Sequence, residues 1–416
     1  MIDNSNQNQA TNIATPASEA PKFEPFFLKP GASKWESLQT SPNMADEEAK
    51  NKVESASEIL KSTLLQALQM QHLVVLAGSG CSLYAKMPSM GNLWDAVIGR
   101  TPSEEAKKVA KKINFAFEET NPEYRNIEFF LSRVESFLGI AENDTEVLTF
   151  LNKAREIILE MCSKSPEEEN IIAHERFLHR LSRRRTRDQR LRVYTTNYDL
   201  CFEKAAAKVG CVAIDGFSFM TPRRYDPRYF DFDIIRRSRL GDDNGSFLEG
   251  VFLLYKLHGS VNWEQTQDSI VEKANPEPSK ACLIYPASGK YQQSYNQPYI
   301  ESISQYLASI REPNTCLLVV GFGFNDDHLS SPLLTAIQSN SNLRVIIVDP
   351  FVKEKRENTE GVNVNKSFKK LFELSQNGED VWFINDSFDG FTSRIPNLKS
   401  ISPAERLAKD IRDVVI

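Results

Sequence analysis

The chain has 416 residues, of which 41% are hydrophobic and 25% are charged, with a formal net charge of −6 and an isoelectric point of about 5.6. This is the balance of a globular protein with a sizeable core, and the length allows two or three domains or one large domain with an insertion. It excludes a strongly basic nucleic-acid-binding domain, and no apolar run reaches the ~18–20 residues of a membrane helix.

The sequence favours a cytoplasmic protein. Its opening residues, MIDNSNQNQATNIATP, contain no basic region followed by an apolar core, which argues against a secretory signal. Six cysteines are present and none forms a C-x-x-C pair, so we expect reduced thiols and no zinc ribbon.

The first 190 residues are predicted to contain an arm and two helical regions. Residues 1–44 are rich in Asn, Gln, Ser, Thr and Pro, which indicates a disordered or extended arm, either without function or ordered against a neighbouring subunit. The folded domain then spans 45–416 and begins with a helix from Ala45 to Gln71. Residues 101–190 are predicted to be a helical insertion, in which one apolar stripe is formed by Ile127, Phe130, Leu131, Val134 and Leu138.

Six apolar segments are predicted to be β-strands. LVVL spans Leu73–Leu76, and LRVYT, VFLLYK, TCLLVV, LRVIIV and DVWFIN follow from residue 191 onward. Because strands alternate with helices, the predicted fold is α/β, a doubly wound Rossmann-like parallel sheet with a helical insertion. Ligands of such sheets bind beyond the carboxyl ends of the strands, where glycines or polar residues follow five of these segments.

The first strand leads into a candidate nucleotide-binding loop made of Ala77, Gly78, Ser79, Gly80, Cys81 and Ser82. At a helix N-terminus, such a loop would offer backbone N–H groups and the helix dipole to a diphosphate. It is neither a P-loop nor a complete G-x-G-x-x-G motif, and a merely tight strand–helix turn is the alternative.

A second loop, with Gly321, Gly323 and Asn325, follows the TCLLVV strand. The next strand ends at Asp349, about where a ribose-binding carboxylate falls in a dinucleotide fold. The alternative is helix capping followed by a turn before Pro350.

The remaining candidates are His258, at a strand end before Gly259, and Thr196, Asn197 and Asp199, after LRVYT. A histidine suits proton transfer near neutral pH, whereas Asn and Asp can orient water or a ribose hydroxyl. Each has a structural alternative, as a hydrogen-bonding histidine or as turn-forming residues. His328 looks weaker, because it fits a helix cap.

An arginine run covers Arg176, Arg180, Arg183, Arg184, Arg185, Arg187, Arg190 and Arg192. It favours a solvated or partner-facing helix and leaves nucleic-acid contact open without requiring it.

Taken in order, these motifs resemble those of the sirtuins. That family carries a G-A-G-x-S loop, a T-Q-N-x-D segment, a catalytic histidine followed by glycine, and a late glycine turn. This chain has Gly78-Ser-Gly-Cys-Ser82, Thr195-Thr-Asn-Tyr-Asp199, His258-Gly259 and Gly321-Phe-Gly323, within a resemblance that covers about residues 70–400. The segments TTNYD, KLHGSVNW and GFGFNDDH are similar to those of sirtuin-like proteins from bacterial anti-phage systems, such as the component that assembles with a HerA-type hexameric ATPase.

Three departures from the sirtuin pattern affect the expected activity. No four-cysteine zinc module can be built, the run Lys86-Met-Pro-Ser-Met-Gly91 lacks the Phe-Arg pair of G-I-P-D-F-R, and Thr196 replaces a glutamine. The peptide cleft and the nicotinamide pocket are altered, whereas the dinucleotide-binding parts and the histidine remain. The resemblance therefore implies an NAD+ glycohydrolase that releases nicotinamide and ADP-ribose, with NAD+ as substrate, no other cofactor and no zinc.

In that interpretation, backbone N–H groups around Gly78–Ser82 hold the diphosphate, with Ala77 and Thr196 beside it, while Gly321, Gly323, Asn325 and Asp349 border the adenosine half. Asn197 positions the water or the nicotinamide ribose, and Asp199 supports the site electrostatically or by holding the residues that contact NAD+. His258 is the general base toward a ribose hydroxyl or the water.

The resemblance also implies a role as an NAD+-depleting effector that acts by abortive infection. Such an enzyme is expected to form a homo-oligomer and to be gated by assembly or by the partner ATPase. The alternatives are a lysine deacylase, an ADP-ribosyltransferase, and a sensor that binds NAD+ or ADP-ribose without turnover.

Overall fold

The computed structural model describes residues 24–39, 47–118, 124–184, 188–236, 246–285, 297–357 and 365–397. Its strands are β1 (Phe26–Leu28), β2 (Glu36–Ser37), β3 (His72–Ala77), β4 (Leu191–Thr195), β5 (Val212–Ile214), β6 (Ile235–Arg236), β7 (Ser246–Phe247), β8 (Val251–Lys256), β9 (Gly259–Gln265), β10 (Ile270–Glu272), β11 (Ala281–Leu283), β12 (Thr315–Val320), β13 (Leu343–Val348) and β14 (Val381–Asn385).

The described α-helices lie on both faces of the sheet and in a separate helical layer. They are α1 (Glu47–Leu68), α2 (Met90–Val97), α3 (Glu104–Lys112), α4 (Ile127–Leu138), α5 (Thr145–Ser163), α6 (Ile172–Leu181), α7 (Cys201–Val209), α8 (Tyr299–Ser309), α9 (Asp327–Ser339), α10 (Val352–Glu357), α11 (Lys366–Gln376) and α12 (Phe388–Arg394).

The central sheet has nine strands in the order β2-β1-β14-β13-β12-β3-β4-β8-β5. The strands from β14 to β5 are mutually parallel, and β1 and β2 are antiparallel at one edge, so the predicted α/β fold is confirmed. The chain runs from β3 toward β5 on one side and returns to β12 on the other. The switch point therefore lies between β3 and β12, and the loops after these two strands meet there.

The parallel strands are continuous apolar runs because both faces of the sheet are covered. All residues of β8 and β12 are buried. Along β3, Leu73 and Val75 enter the core beneath α1, α6, α7 and α12, whereas Val74 and Leu76 enter the core beneath α8, α9 and α11. These two apolar layers fix the register that brings the strand ends together.

The helical region has its own core. Residues of α2, α3, α4 and α5 pack around Trp94 and Phe130, together with Val261 and Leu283 of the small sheet β10-β9-β11. The predicted stripe on α4 is confirmed, with Leu138 half-buried and the other four residues buried. By contrast, α6 packs on the main core with Phe177 and Leu178.

Part of the predicted arm is built into the sheet. Phe26 of β1 is paired with Asn385 of β14, and the Asn385 side chain donates to the Glu24 carbonyl at 3.0 Å. The rest of that arm, residues 1–23 and 40–44, lies outside the described residues.

In the described part of the chain, no helix combines the length and apolar character needed to cross a bilayer. All six cysteines are buried free thiols. Within the same residues, no group of three or more His, Cys, Asp or Glu side chains is arranged to hold a metal ion.

Candidate functional site

The two glycine loops pack back to back at the switch point. The N–H of Gly80 donates to the carbonyl of Gly321 at 2.9 Å, and the Cys81 thiol donates to the Val320 carbonyl at 3.1 Å. A Cβ on Gly78 would lie 2.6 Å from the Gly321 oxygen, and one on Gly321, at φ +60°, would lie 2.4 Å from the Cys81 nitrogen. The glycines are therefore required by loop–loop packing, whatever ligand lies above them.

This packing corrects one expectation about the first loop. The N–H groups of Gly78, Gly80, Cys81 and Ser82 all donate to backbone carbonyls, so they are not available to a diphosphate in this conformation. Only a 3₁₀ turn, Ser79–Cys81, follows β3, so the expected helix dipole is missing as well. The residues of this loop that line the pocket are Gly78, Ser79 and Ser82, and the Ser82 hydroxyl already accepts from Asn197.

The second loop is anchored by aromatic packing. Phe322 and Phe324 are buried in the core beneath α8, α9 and α11, and Phe324 holds a φ of +59°, unusual for a residue with a side chain. The Asn365 side chain donates to the Gly323 carbonyl at 2.7 Å and to the Asn325 side chain at 3.0 Å. Gly323 and Asn325 are thus held at the rim of the site, and α9 begins two residues after Asn325, at Asp327.

Asn197 ties the end of β4 to the first loop. Its Nδ2 donates to the Gly78 carbonyl and to Ser82 Oγ, both at 2.9 Å, and its own N–H donates to Thr195 Oγ1 at 3.1 Å. Both amide protons are used to hold the loop, which leaves the carbonyl oxygen of the side chain as the group that can address a ligand.

Asp199 lies beneath Asn197 and is 7% exposed. Burial raises the pKa of its carboxyl group, but the Lys256 cation and hydrogen bonds from Cys201 and Ser82 outweigh burial and keep the pKa below its ordinary value. Lys256 is itself buried, donates to the Asp199 carbonyl, and pairs with Glu203 at 3.0 Å. The site therefore contains a permanent negative charge at neutral pH.

His258 occupies the turn between β8 and β9 and is 2% exposed. Its carbonyl accepts the N–H of Ile284 at 2.9 Å. Gly259 follows at φ +83°, and a Cβ there would lie 2.0 Å from the Cys282 carbonyl oxygen. The glycine is what allows the turn to press against β11 and direct His258 toward the strand ends.

These residues surround one pocket of about 170 Å³. Of the predicted site residues, the lining includes Gly78, Ser79, Ser82, Thr196, Asn197, Asp199, His258, Gly323 and Asn325. Ala77, Gly80 and Gly321 lie behind that surface as loop framework. Asp349 lies at the neighbouring strand end, where its carboxylate accepts from the Phe351 N–H and pairs with Lys355, both at 2.8 Å, and its predicted contact with a ribose stays a prediction.

Sequence reasoning missed several residues that line or adjoin the pocket. Glu128 and Cys162 come from the helical region, Tyr198 from the β4 loop, and Asp326 from the start of α9. The Asp326 side chain makes no capping hydrogen bond.

His328, on the first turn of α9, has its Nε2 atom 3.4 Å from Nε2 of His258. The signal that could have found it was its position just after a strand-end loop.

The arginine run does not form a single basic surface. Arg184 is buried and donates to the carbonyls of Leu68 and Gln71, Arg190 makes a bidentate pair with Asp233, and Arg192 pairs with Glu312. Arg185 and Arg187 lie outside the described residues. At least these three arginines therefore serve the fold rather than a partner.

Three comparisons with known proteins bear on the chain. Residues 191–365, less than half of its length, match the family model of the SIR2-like domain. That segment carries Asn197, Asp199, His258 and the Gly321–Asn325 loop but not the Gly78–Ser82 loop. A search of curated proteins finds no match.

Solved structures similar to this chain include Sir2 homologues bound to different ligands. A Sir2 homologue variant in complex with 2′-O-acetyl ADP ribose is 13% identical, with 82% of this chain and 99% of that chain covered and a TM-score of 0.39. A Sir2 homologue in complex with NAD is 12% identical, with 85% and 95% covered and a TM-score of 0.37. The similarity that bears on the site is therefore the family match, in which the segment that carries the candidate residues after β4 is similar to a SIR2-like domain.

Proposed function

We propose that the protein is an NAD+ glycohydrolase that binds NAD+ at the carboxyl ends of β3, β4 and β12 and releases nicotinamide and ADP-ribose. The observation that supports this best is the convergence of Asn197, Asp199 and His258 on one pocket beside the paired glycine loops. Phosphate binding alone would need neither a buried histidine nor a buried carboxylate.

Cleavage of the bond between the ribose C1′ and the nicotinamide nitrogen determines which groups the protein must supply. Nicotinamide leaves as a neutral molecule and takes the C1′–N electron pair, so the ribose acquires positive charge in the transition state. The carboxylates of Glu128, Asp199 and Asp326 line the pocket and would stabilise that charge. Water forms the new C1′–O bond and its proton passes to His258, with the Asn197 carbonyl oxygen orienting the water or the ribose.

We assign the diphosphate contacts to the part of the pocket that the two glycine loops and Thr196 line. Ser79 and Thr196 would contribute hydroxyl donors there, and Gly323 would allow a close approach of its backbone. We assign the reacting ribose and nicotinamide to the part of the pocket beside Asn197 and His258, and the adenosine half to the side of Asn325 and Asp349.

A lysine deacylase would use the same asparagine and histidine. What favours water as the acceptor is the wall contributed by the helical region, where Met90, Leu93, Glu128 and Cys162 occupy one side of the pocket. ADP-ribosyl transfer differs only in its acceptor, and a non-enzymatic NAD+ or ADP-ribose sensor would show binding without turnover.

The test is to incubate the full-length protein with NAD+ and quantify nicotinamide and ADP-ribose by chromatography. His258→Ala and Asn197→Ala should each lower turnover at least about 100-fold, the usual scale for a general base. His179→Ala is the matched control, because His179 is an exposed histidine on α6 outside the pocket. Parental turnover by His258→Ala would refute the assignment, and turnover only with an acyl-peptide would favour the deacylase.

We further propose that the enzyme acts as a homo-oligomeric, NAD+-depleting effector of anti-phage defence, gated by assembly or by a HerA-type ATPase. This follows from the resemblance of the TTNYD, KLHGSVNW and GFGFNDDH segments. Light scattering of the chain with and without a co-expressed ATPase tests it. A stable monomer in both preparations would count against both the oligomer and the partner.

A further inference from the structure

The burial of His258 limits how its ring can lose a proton between turnovers. Only 2% of the His258 surface is exposed, and in the proposed reaction NAD+ fills the pocket that this surface lines, yet the ring must be deprotonated again before each turnover. A second group within hydrogen-bonding reach would give the proton a route to solvent that the bound substrate does not block.

His328 occupies the position such a group requires. Its Nε2 lies 3.4 Å from Nε2 of His258, with the ring centroids 5.5 Å apart and the ring planes 35° from parallel. The separation is that of a long hydrogen bond, which commonly tightens when substrate binds. His328 is half-buried, on the first turn of α9, and so lies nearer to solvent than His258 does.

Other titratable groups around the pocket are less suited to accept the proton from His258. Burial raises the pKa of Cys162 to about 12 and that of Tyr198 well above its ordinary value, so neither accepts a proton as a base near neutrality. Asp199 has a lowered pKa and does not retain a proton. Glu128 and Asp326 are the other acidic residues that line the pocket, and neither is the group that the structure places at the Nε2 atom of His258.

We propose that His328 is the proton-relay partner of His258. This rests on the proposed hydrolysis of NAD+. The attacking water loses one proton to the His258 ring, the proton between the two Nε2 atoms moves to His328, and His328 releases it to solvent. Two facing cations would repel each other, so the pair holds a single extra proton at a time. His328 acts through His258 and is a positioning residue rather than a catalytic one.

The experiment compares His328→Ala and His328→Gln with the parent and with His179→Ala in NAD+ turnover at low buffer concentration. Both His328 variants should lose about tenfold or more in kcat with little change in KM, a part of the 10²–10⁴ typical of general base catalysis. Added imidazole should restore the rate of His328→Ala, because a small diffusible base can replace the relay. Glutamine can hydrogen-bond to His258 but cannot carry the proton, so a purely structural role would leave His328→Gln active.

Parental kcat in either variant at low buffer would overturn the relay, and so would a loss in His328→Ala that imidazole does not reverse. If the parent itself does not consume NAD+, the proposed function fails and the pairing is tested separately by NMR. The His258 Cε1–H titration midpoint should then shift in His328→Gln, and an unchanged midpoint would refute the pairing.

Discussion

Replacing Gly321 with alanine should destabilise the protein more than its backbone angle alone requires. Gly321 has φ +60°, and placing an L-residue in this left-handed region costs roughly 1–2 kcal/mol. The new Cβ would also lie 2.4 Å from the Cys81 nitrogen and 2.6 Å from the Gly80 carbonyl carbon, which are backbone atoms that cannot rotate away. Forced backbone shifts of this kind cost a further ~1–3 kcal/mol.

Gly210 provides the matched control. Its φ is +71°, and nothing lies within 4 Å of a Cβ built on it, so Gly210→Ala incurs only the backbone cost. Urea unfolding followed by circular dichroism should show Gly321→Ala less stable than Gly210→Ala by about 1–3 kcal/mol, at an unchanged m-value. Equal effects of the two substitutions would refute the back-to-back packing of the glycine loops.

The hydrogen bonds of Asn197, the charge of Asp199 and the burial of the cysteines each give a prediction that can be measured. Asn197→Asp removes both donors that hold the first loop and turns an acidic oxygen toward the Gly78 carbonyl, so it should cost about 1–3 kcal/mol of unfolding free energy; parental stability in urea would contradict it. Because the folded pKa of Asp199 is lowered, the stability it contributes is present above the unfolded value of about 3.9 and is lost as pH falls through the folded value. The stability difference between the parent and Asp199→Asn should therefore shrink below about pH 4, and a constant difference would refute the linkage. The five buried thiols outside the pocket should resist a thiol reagent in the native protein, and all six should react in denaturant; rapid native labelling of any thiol other than Cys162 would contradict their burial.

The fold could be predicted because its parallel strands are continuous apolar runs that end at glycines or polar residues. The strand segments proposed around β3, β4, β8, β12, β13 and β14 are all present. Short strands such as β1, β2 and β5 carry too few residues for a periodic signal, and the pairing of β1 with β14 joins residues more than 350 positions apart. That pairing depends on tertiary packing, and no local sequence pattern indicates it.

The strand-end residues of the pocket were predictable from the sequence, whereas the lining from the helical region and the hydrogen bonds were not. Asn197, Asp199 and His258 line one pocket, as the strand-end argument expected. The hydrogen bonds of the first loop could not be predicted, because they depend on which strand lies next to β3. That strand is β12, and the Gly321 carbonyl that follows it accepts the N–H of Gly80. His328 was passed over because it was interpreted as part of a helix cap, although its position just after a strand-end loop placed it near the ends of the strands.

The most direct test of the central claim is NAD+ turnover in ¹⁸O-labelled water with no peptide present. Hydrolysis predicts nicotinamide and ADP-ribose, with one ¹⁸O atom at the C1′ hydroxyl of the ADP-ribose measured by mass spectrometry immediately after release. Binding of NAD+ without product, or nicotinamide release only when an acyl-peptide is added, would contradict the account.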